Sequence, residues 1–116
     1  MADDKPVLIY STFPSIEAAE SSGAGLLDAG LAACVNIIPG MISLYTWQGR
    51  RQRDQEVVMI VKTRVHLVDR ATEEIRRSHP YDTPAIVALP VAGGSAAFLD
   101  WIMAETDDAR ASGGQG

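Results

Sequence analysis

The segment Glu56-Val57-Val58-Met59-Ile60-Val61-Lys62-Thr63 decides the fold, because it carries the strongest strand pattern in the chain. Its middle is an unbroken run of apolar side chains, most of them β-branched, which favours extended structure. A strand with apolar side chains on both faces is typical of a sheet that is covered on both sides. The sequence therefore predicts a sheet in which neither face of this segment meets water.

Working outward from this strand, further strands are predicted at 7–12, at 31–38 with an extended continuation at 41–48, and at 85–91. Pro39-Gly40 is expected to bend the second strand, and Gly49 to Asp54 is predicted to be polar turn material. The second and third strands together form a long hairpin, with arms longer than a small core can cover.

Three helices are predicted between and after these strands. The first is capped by Ser15, stops at Gly30 and buries the apolar side chains Ile16, Ala19, Leu26 and Leu27. The second, from Leu67 to Ser78, turns the apolar side chains Leu67, Ala71 and Ile75 to one face. The third is capped by Gly93-Gly94-Ser95 and carries the apolar side chains Phe98, Trp101 and Ile102.

The order β-α-β-β-α-β-α predicts an α+β fold of the ferredoxin-like type, with a long hairpin and a C-terminal helix. In this arrangement helices cover one face of the sheet and leave the other bare. The strands are apolar on both faces, as Leu8, Ile60, Val87 and Leu89 illustrate. Because 116 residues supply no second cover, we expect an obligate oligomer.

Length and charge exclude several classes of protein. The chain fits one domain, predicted at 1–106, followed at 107–116 by a tail that we expect to be disordered. A net charge of −5 argues against binding of nucleic acid, because phosphate contacts need clustered positive charge. The trio Arg50, Arg51 and Arg53 is interpreted as a solvated hairpin tip. No apolar run is long enough to span a membrane, and a lone cysteine, Cys34, fits the reducing cytoplasm.

The loop His79-Pro80-Tyr81-Asp82-Thr83-Pro84 is the first candidate for a functional site, since two prolines stiffen a segment with three polar side chains. His79 is either a helix C-terminal cap or a functional residue, as a metal ligand or as a donor to an anionic ligand. Cys34 is either a buried small hydrophobe or, if the fold brings His79 or Lys62 close, a soft ligand for copper. Asp82 is the third candidate ligand.

Several motifs resemble the CutA divalent-cation-tolerance family. They are Leu31-Ala32-Ala33-Cys34-Val35-Asn36, the Pro39-Gly40 bend, Ser43-Leu44-Tyr45-x-Trp47-x-Gly49, residues 56–63, His79-Pro80-Tyr81-x-x-Pro84 and Trp101-Ile102. The match spans about residues 7–103 in the same order. Two positions depart from the family pattern: Asp82 stands where Glu is more common, and Phe98 where Tyr is frequent. The shorter Asp82 side chain shortens the reach of that carboxylate.

The resemblance implies a tight homotrimer with the architecture of PII signalling trimers, cytoplasmic residence, and binding of copper(II) or other divalent ions with no required cofactor. On that basis Tyr45 and Trp47, aromatic residues on the protruding hairpin, are assigned to the trimer interface. Lys62, Arg64 and Tyr81 are assigned to clefts between subunits, by analogy with PII trimers.

Three functions follow for testing. The first is a non-enzymatic, trimeric metal-responsive protein with a weak divalent-ion site at His79, Cys34 and Asp82. The second is a PII-like signalling or scaffold trimer that binds a small anion near Lys62, Arg64 and Tyr81. The third is an enzyme with Cys34 as nucleophile and His79 as base, which ranks last because no orienting third group is recognisable.

Overall fold

A computed structural model describes residues 3–106, so the predicted tail at 107–116 lies outside the described residues. The element order is β1 (Pro6–Phe13), α1 (Ile16–Asp28), β2 (Cys34–Trp47), β3 (Arg50–Arg64), a 3-10 turn (Val65–Leu67), α2 (Val68–Ser78), β4 (Ile86–Pro90) and α3 (Ala96–Glu105). The strands form one sheet in the order β2-β3-β1-β4, with antiparallel neighbours throughout. This is the predicted ferredoxin-like arrangement with a long hairpin and a C-terminal helix.

One face of the sheet is packed against α1 and α2. Alternate residues of β1 and β3 point to this helix-covered face, where Ile9 pairs with Val61 and Phe13 pairs with Val57. They pack with the apolar faces of the helices, among them Leu26 and the predicted trio Leu67, Ala71 and Ile75, all fully buried. Burial of such side chains supplies most of the stability of a domain this small.

The other face of the sheet, here called the open face, carries the alternate residues Leu8, Tyr10, Ile38, Ile60, Val87 and Leu89. Three of these are large apolar side chains that the single chain leaves well exposed: Ile38 at 48%, Val87 at 51% and Leu89 at 43%. The described residues of one chain therefore leave much of the open face uncovered.

Helix α1 differs from the prediction in which side chains it buries. Its start is confirmed, since the Ser15 hydroxyl accepts a hydrogen bond from the Ala18 backbone. Ile16 and Leu27, however, are 42% and 46% exposed, whereas Ser22 and Gly23 are buried. A Cβ on Gly23 would lie 3.1 Å from Cγ1 of Val35, so the helix approaches the sheet along its small residues.

The hairpin also differs from its prediction at both ends. Residues 31–33 lie outside the strand: Leu31 and Ala32 are buried in the core, and β2 begins at Cys34. Residues 50–54 were predicted as a turn but continue the ladder, from the pair Trp47–Arg50 to the pair Ser43–Asp54. The turn is only Gln48-Gly49, both with positive φ (51° and 78°), which matches a two-residue type I′ hairpin.

A bulge in β2 sets which hairpin residues share a face. Ile38 pairs with Val58 and Met41 pairs with Glu56, so Pro39 and Gly40 together face the single residue between those partners. After the bulge, the odd-numbered residues of β2 continue the open face, together with the even-numbered residues of β3.

None of the described helices is long and apolar enough to cross a membrane.

Candidate functional site

The loop at 79–84 is fixed to the sheet through His79. This imidazole is buried and stacks on the ring of Phe13, with ring centroids 4.3 Å apart. Its Nε2 lies 2.7 Å from the Thr12 carbonyl oxygen, and its Nδ1 accepts a hydrogen bond of 3.1 Å from the Tyr81 backbone. Since Nδ1 accepts, Nε2 must donate, and a neutral imidazole satisfies both bonds. Ligation of a metal by His79 would require one of them to break.

Beyond His79, the loop and the open face of the hairpin line a solvent-open cleft of about 560 Å³, called here the hairpin cavity. Its lining combines aromatic rings with carboxylates: Tyr45, Trp47, Gln52, Asp54, Glu56, Tyr81, Asp82 and Thr83. No lysine or arginine is among the lining residues that the described part of the chain supplies. The cavity is therefore chemically suited to a cation.

Two tyrosines bind the carboxylates inside this cavity. The Tyr81 hydroxyl donates to Glu56 over 3.2 Å, and the Tyr45 hydroxyl donates to Asp54. Burial and the charge of Glu56 raise the pKa of Tyr81 to about 12. The hydrogen bond to Asp54, followed by burial and nearby negative charge, raises the pKa of Tyr45 above its ordinary value. The raised pKa values are consistent with a negative potential in the cavity.

Cys34 lies on the open face, away from the loop. It pairs with Lys62 across the ladder, and Nζ of Lys62 donates to Sγ over 3.4 Å. The same ammonium also donates to the side-chain oxygen of Asn36. Cys34 is half-buried, so a ligand could reach the thiol only beside this positive charge.

Arg64 belongs to a different part of the fold. Its guanidinium donates to Asp4 over 2.7 Å, to Thr106 over 3.3 Å and to the Met103 carbonyl oxygen. Asp4 also accepts from the His66 backbone. Burial alone would raise the pKa of the Asp4 carboxyl, but these bonds and the charges of Arg64 and His66 hold it below its ordinary value. The network ties the segment before β1 to the end of α3.

The structure thus brings together some of the predicted residues and separates others. Tyr45, Trp47, Tyr81 and Asp82 line one cavity. Lys62 and Cys34 form a second group, while Arg64 has partners elsewhere. Among the described residues no group of three His, Cys, Asp or Glu side chains is placed to bind a metal ion, so His79, Cys34 and Asp82 do not converge within one chain.

Sequence reasoning missed Asp54 and Glu56 as cavity residues. Asp54 was assigned to a turn, and Glu56 was assigned only to the start of a strand. Asp54 and Glu56 are two positions apart in the sequence. Had the segment been predicted as a strand, this spacing would have placed both carboxylates on one face. The longer ladder then sets that face beside Tyr45 and the loop.

Comparisons with known proteins agree with this architecture. The family model for the CutA1 divalent ion tolerance protein matches residues 7–105. The divalent-cation tolerance protein CutA of Thermus thermophilus is 43% identical over 99 residues, covering 85% of this chain and 96% of that protein. The chloroplastic CutA 1 protein of Oryza sativa is 41% identical over 100 residues. That match covers 86% of this chain but only 56% of the rice protein.

Solved structures give the same result. A crystal structure of CutA1 from Oryza sativa superposes with a TM-score of 0.86 at 39% identity, covering 90% of this chain and 95% of that chain. A CutA structure from Archaeoglobus fulgidus, described as periplasmic, superposes with a TM-score of 0.84 at 41% identity, covering 88% and 99%. Since relatives are described as chloroplastic or periplasmic, residence in the cytoplasm stays a prediction. The family model and the shared fold together show that this chain belongs to the CutA1 divalent ion tolerance family.

Proposed function

We propose that the chain forms a homotrimer that binds copper(II) or another divalent cation in the response to metal stress, without catalysing a reaction. The observation that carries this proposal is the position of Cys34 on the open face, among exposed apolar side chains such as Ile38. One chain does not bring three metal ligands together within its described residues. Association through the open face would place the Cys34 thiols at the boundary between subunits, where ligands from different chains can meet.

The candidate ligands differ in how much rearrangement each would need before it could bind a metal ion. Asp82 is exposed and its carboxylate needs little rearrangement. Cys34 requires Lys62 to move, because an ammonium 3.4 Å from Sγ repels an incoming cation. His79 would lose a hydrogen bond to the Thr12 carbonyl oxygen or the Tyr81 backbone. We therefore expect weak binding, with the soft thiolate favouring copper over harder ions.

Copper titration calorimetry on the intact protein tests these assignments. Cys34→Ser and Asp82→Asn should each weaken binding, whereas Lys62→Met should tighten it by removing a nearby positive charge. Glu20→Gln, which removes an exposed carboxylate on α1, is the matched control and should change nothing. His79→Gln requires a folding check, since His79 supports the loop. Copper affinity unaltered by all of the ligand substitutions would refute the proposed site.

A signalling or scaffold trimer that binds a small anion is the second candidate. Lys62 favours it, because its ammonium is only half-buried on the open face. Arg64 already binds Asp4, and Tyr81 lies beside Glu56, so neither is free to support an anion in one chain. A thermal-shift screen with phosphate, citrate and nucleotides separates the two functions: stabilisation that Lys62→Met abolishes would favour the anion.

A further inference from the structure

We propose that the two faces of the distal hairpin, residues 41–56, are complementary docking surfaces, and that the acidic face of one copy packs on the basic face of the next. This inference rests on the homotrimer of the proposed function and names the surfaces through which its copies meet. The distal hairpin lies beyond the bulge at Pro39-Gly40. Its front is the face that continues the open face of the sheet, and its back is the opposite face.

The front of the distal hairpin is aromatic and acidic. Asp54 and Glu56 project from β3 on this side, and Asp82 joins them from the loop. The Tyr45 hydroxyl donates to Asp54 and so holds this carboxylate in place. The register puts Arg50 on the same face, beside the turn. Three carboxylates against one guanidinium leave the front negative.

The back of the distal hairpin is apolar and basic. Ile42 and Leu44 project from β2 on this side, next to Arg51 and Arg53 of β3. Leu44 is 63% exposed and Ile42 is 41% exposed. Within the described part of the chain, neither Arg51 nor Arg53 forms an ion pair. The back thus combines exposed apolar side chains with positive charge that the described residues do not neutralise.

These charges decide how two copies can meet at the hairpin. Front against front would set carboxylates against carboxylates, and back against back would set guanidinium groups against each other. Like charges across an interface disfavour binding. Front against back instead joins opposite charges and lays the exposed Leu44 against the aromatic side chains of the neighbour. Such a contact uses two different surfaces, so each copy binds two neighbours, and a head-to-tail contact of this kind can close into a ring of three.

The spacing of the charges fits the same contact. Arg51 and Arg53 are two residues apart on β3, and so are Asp54 and Glu56. Alternate residues of a strand lie about 7 Å apart. Two guanidinium groups of one copy can therefore meet two carboxylates of the next in a single register. The hairpin is longer than the core of one chain requires, and this contact gives its outer part a role in assembly.

Charge reversal tests the pairing, with light scattering over a range of protein concentrations as the measurement. Arg51→Glu with Arg53→Glu makes both faces acidic, whereas Asp54→Lys with Glu56→Lys makes both faces basic. We expect each double variant to need about tenfold more protein than the wild type to reach the trimer mass. The fourfold variant has opposite charges on its two faces again and should assemble at wild-type concentrations. Contacts between identical faces predict no such recovery, because like charges stay alike after reversal.

A matched control and a second variant guard against indirect effects. Arg76→Glu with Arg77→Glu makes the same change of net charge on the exposed face of α2 and should assemble like the wild type. Thermal melting checks that every variant is folded. Leu44→Lys changes the back without removing a carboxylate partner of a tyrosine, and it should also raise the concentration needed for assembly about tenfold, because it puts a charge into an apolar contact.

The outcomes separate this inference from the homotrimer itself. If the wild type is trimeric and the Arg51→Glu, Arg53→Glu variant assembles equally well, the inference is overturned while the homotrimer stands. The same holds if the fourfold variant assembles no better than the two double variants. A single-chain mass for the wild type would refute the homotrimer and this contact together.

Discussion

His79 shows how one residue can resemble a metal ligand in the sequence and serve the fold in the structure. The sequence places an imidazole between a helix and two prolines, a setting that suits either role. The structure adds Phe13 and the Thr12 carbonyl oxygen, which come from a strand more than sixty residues earlier in the chain. Those contacts depend on tertiary packing, so no local pattern could have predicted them.

We expect His79→Ala to lower the free energy of unfolding by about 2–4 kcal/mol, because it leaves a carbonyl unpaired and a space beside Phe13. His79→Gln should recover part of this loss, since its amide can still donate toward Thr12. Urea unfolding followed by circular dichroism measures both variants. A stability for His79→Ala equal to that of the wild type would contradict the structural role.

Tyr81 gives a second prediction at the scale of one residue. Its pKa is raised to about 12 from an ordinary 10.0, so the folded protein keeps the phenol proton longer than the unfolded chain does. The stabilising contribution is therefore fully present below pH 10, and it declines as the pH rises through the folded value. We expect one tyrosine of the folded protein to titrate near pH 12, as read from phenolate absorbance.

Two substitutions assign that titration. Tyr81→Phe should remove it, and Glu56→Gln should shift it to lower pH, because the substitution removes a negative charge and weakens a hydrogen bond. Tyr10, which lies outside the hairpin cavity, provides the comparison through Tyr10→Phe. A Tyr81 titration unaffected by Glu56→Gln would show that burial alone sets the value.

At the scale of secondary structure, the sequence predicted each helix and strand but not every boundary or buried face. The β-branched run at 56–63 and the Ser15 and Ser95 caps are local signals, and the structure confirms them. Residues 50–54 are polar because both faces of the distal hairpin are exposed, which made a strand look like a turn. Ile16 and Leu27 were assigned to the core by their apolarity, although packing selected the smaller Ser22 and Gly23.

The close approach of α1 to the sheet predicts opposite effects for two neighbouring glycines. A Cβ on Gly25 would meet only Glu74 at 3.5 Å, so Gly25→Ala should raise the free energy of unfolding by about 0.5–1 kcal/mol through helix propensity. A Cβ on Gly23 would lie 3.1 Å from Val35. The loss of stability from overpacking, about 1–3 kcal/mol, then exceeds the gain from helix propensity. Gly23→Ala should therefore lower the free energy of unfolding.

Thermal unfolding of the two alanine variants, run side by side, measures this difference. Each variant serves as the control for the other, since both make the same chemical change in the same helix. Stabilisation of similar size in both would mean that Val35 yields without cost and that α1 does not depend on a small residue at position 23.

At the scale of the whole molecule, the sequence predicted an uncovered apolar sheet face, and the described residues of one chain leave much of that face exposed. What could not be predicted was how the candidate residues divide: the hairpin cavity joins Asp82 to Asp54 and Glu56, while Cys34 lies with Lys62 on the sheet. Glu56 and Lys62 share one face of β3, so the two groups are separated along the length of the hairpin. The long hairpin was predicted, but the contact of the 79–84 loop with Glu56 depends on tertiary packing.

Assembly gives the last prediction, because two exposed leucines distinguish the open face from an ordinary surface. Leu89 on the open face is 43% exposed and Leu27 on α1 is 46% exposed. In an isolated chain, a lysine at either position would have a similar, small effect. If the open face is buried between subunits, Leu89→Lys must place three like charges in an apolar interface, whereas Leu27→Lys stays in water. Light scattering should then report about three times 12.4 kDa for the wild type and Leu27→Lys, and a smaller mass for Leu89→Lys. Equal masses for all three proteins, or a single-chain mass for the wild type, would show that this face is not where the copies meet.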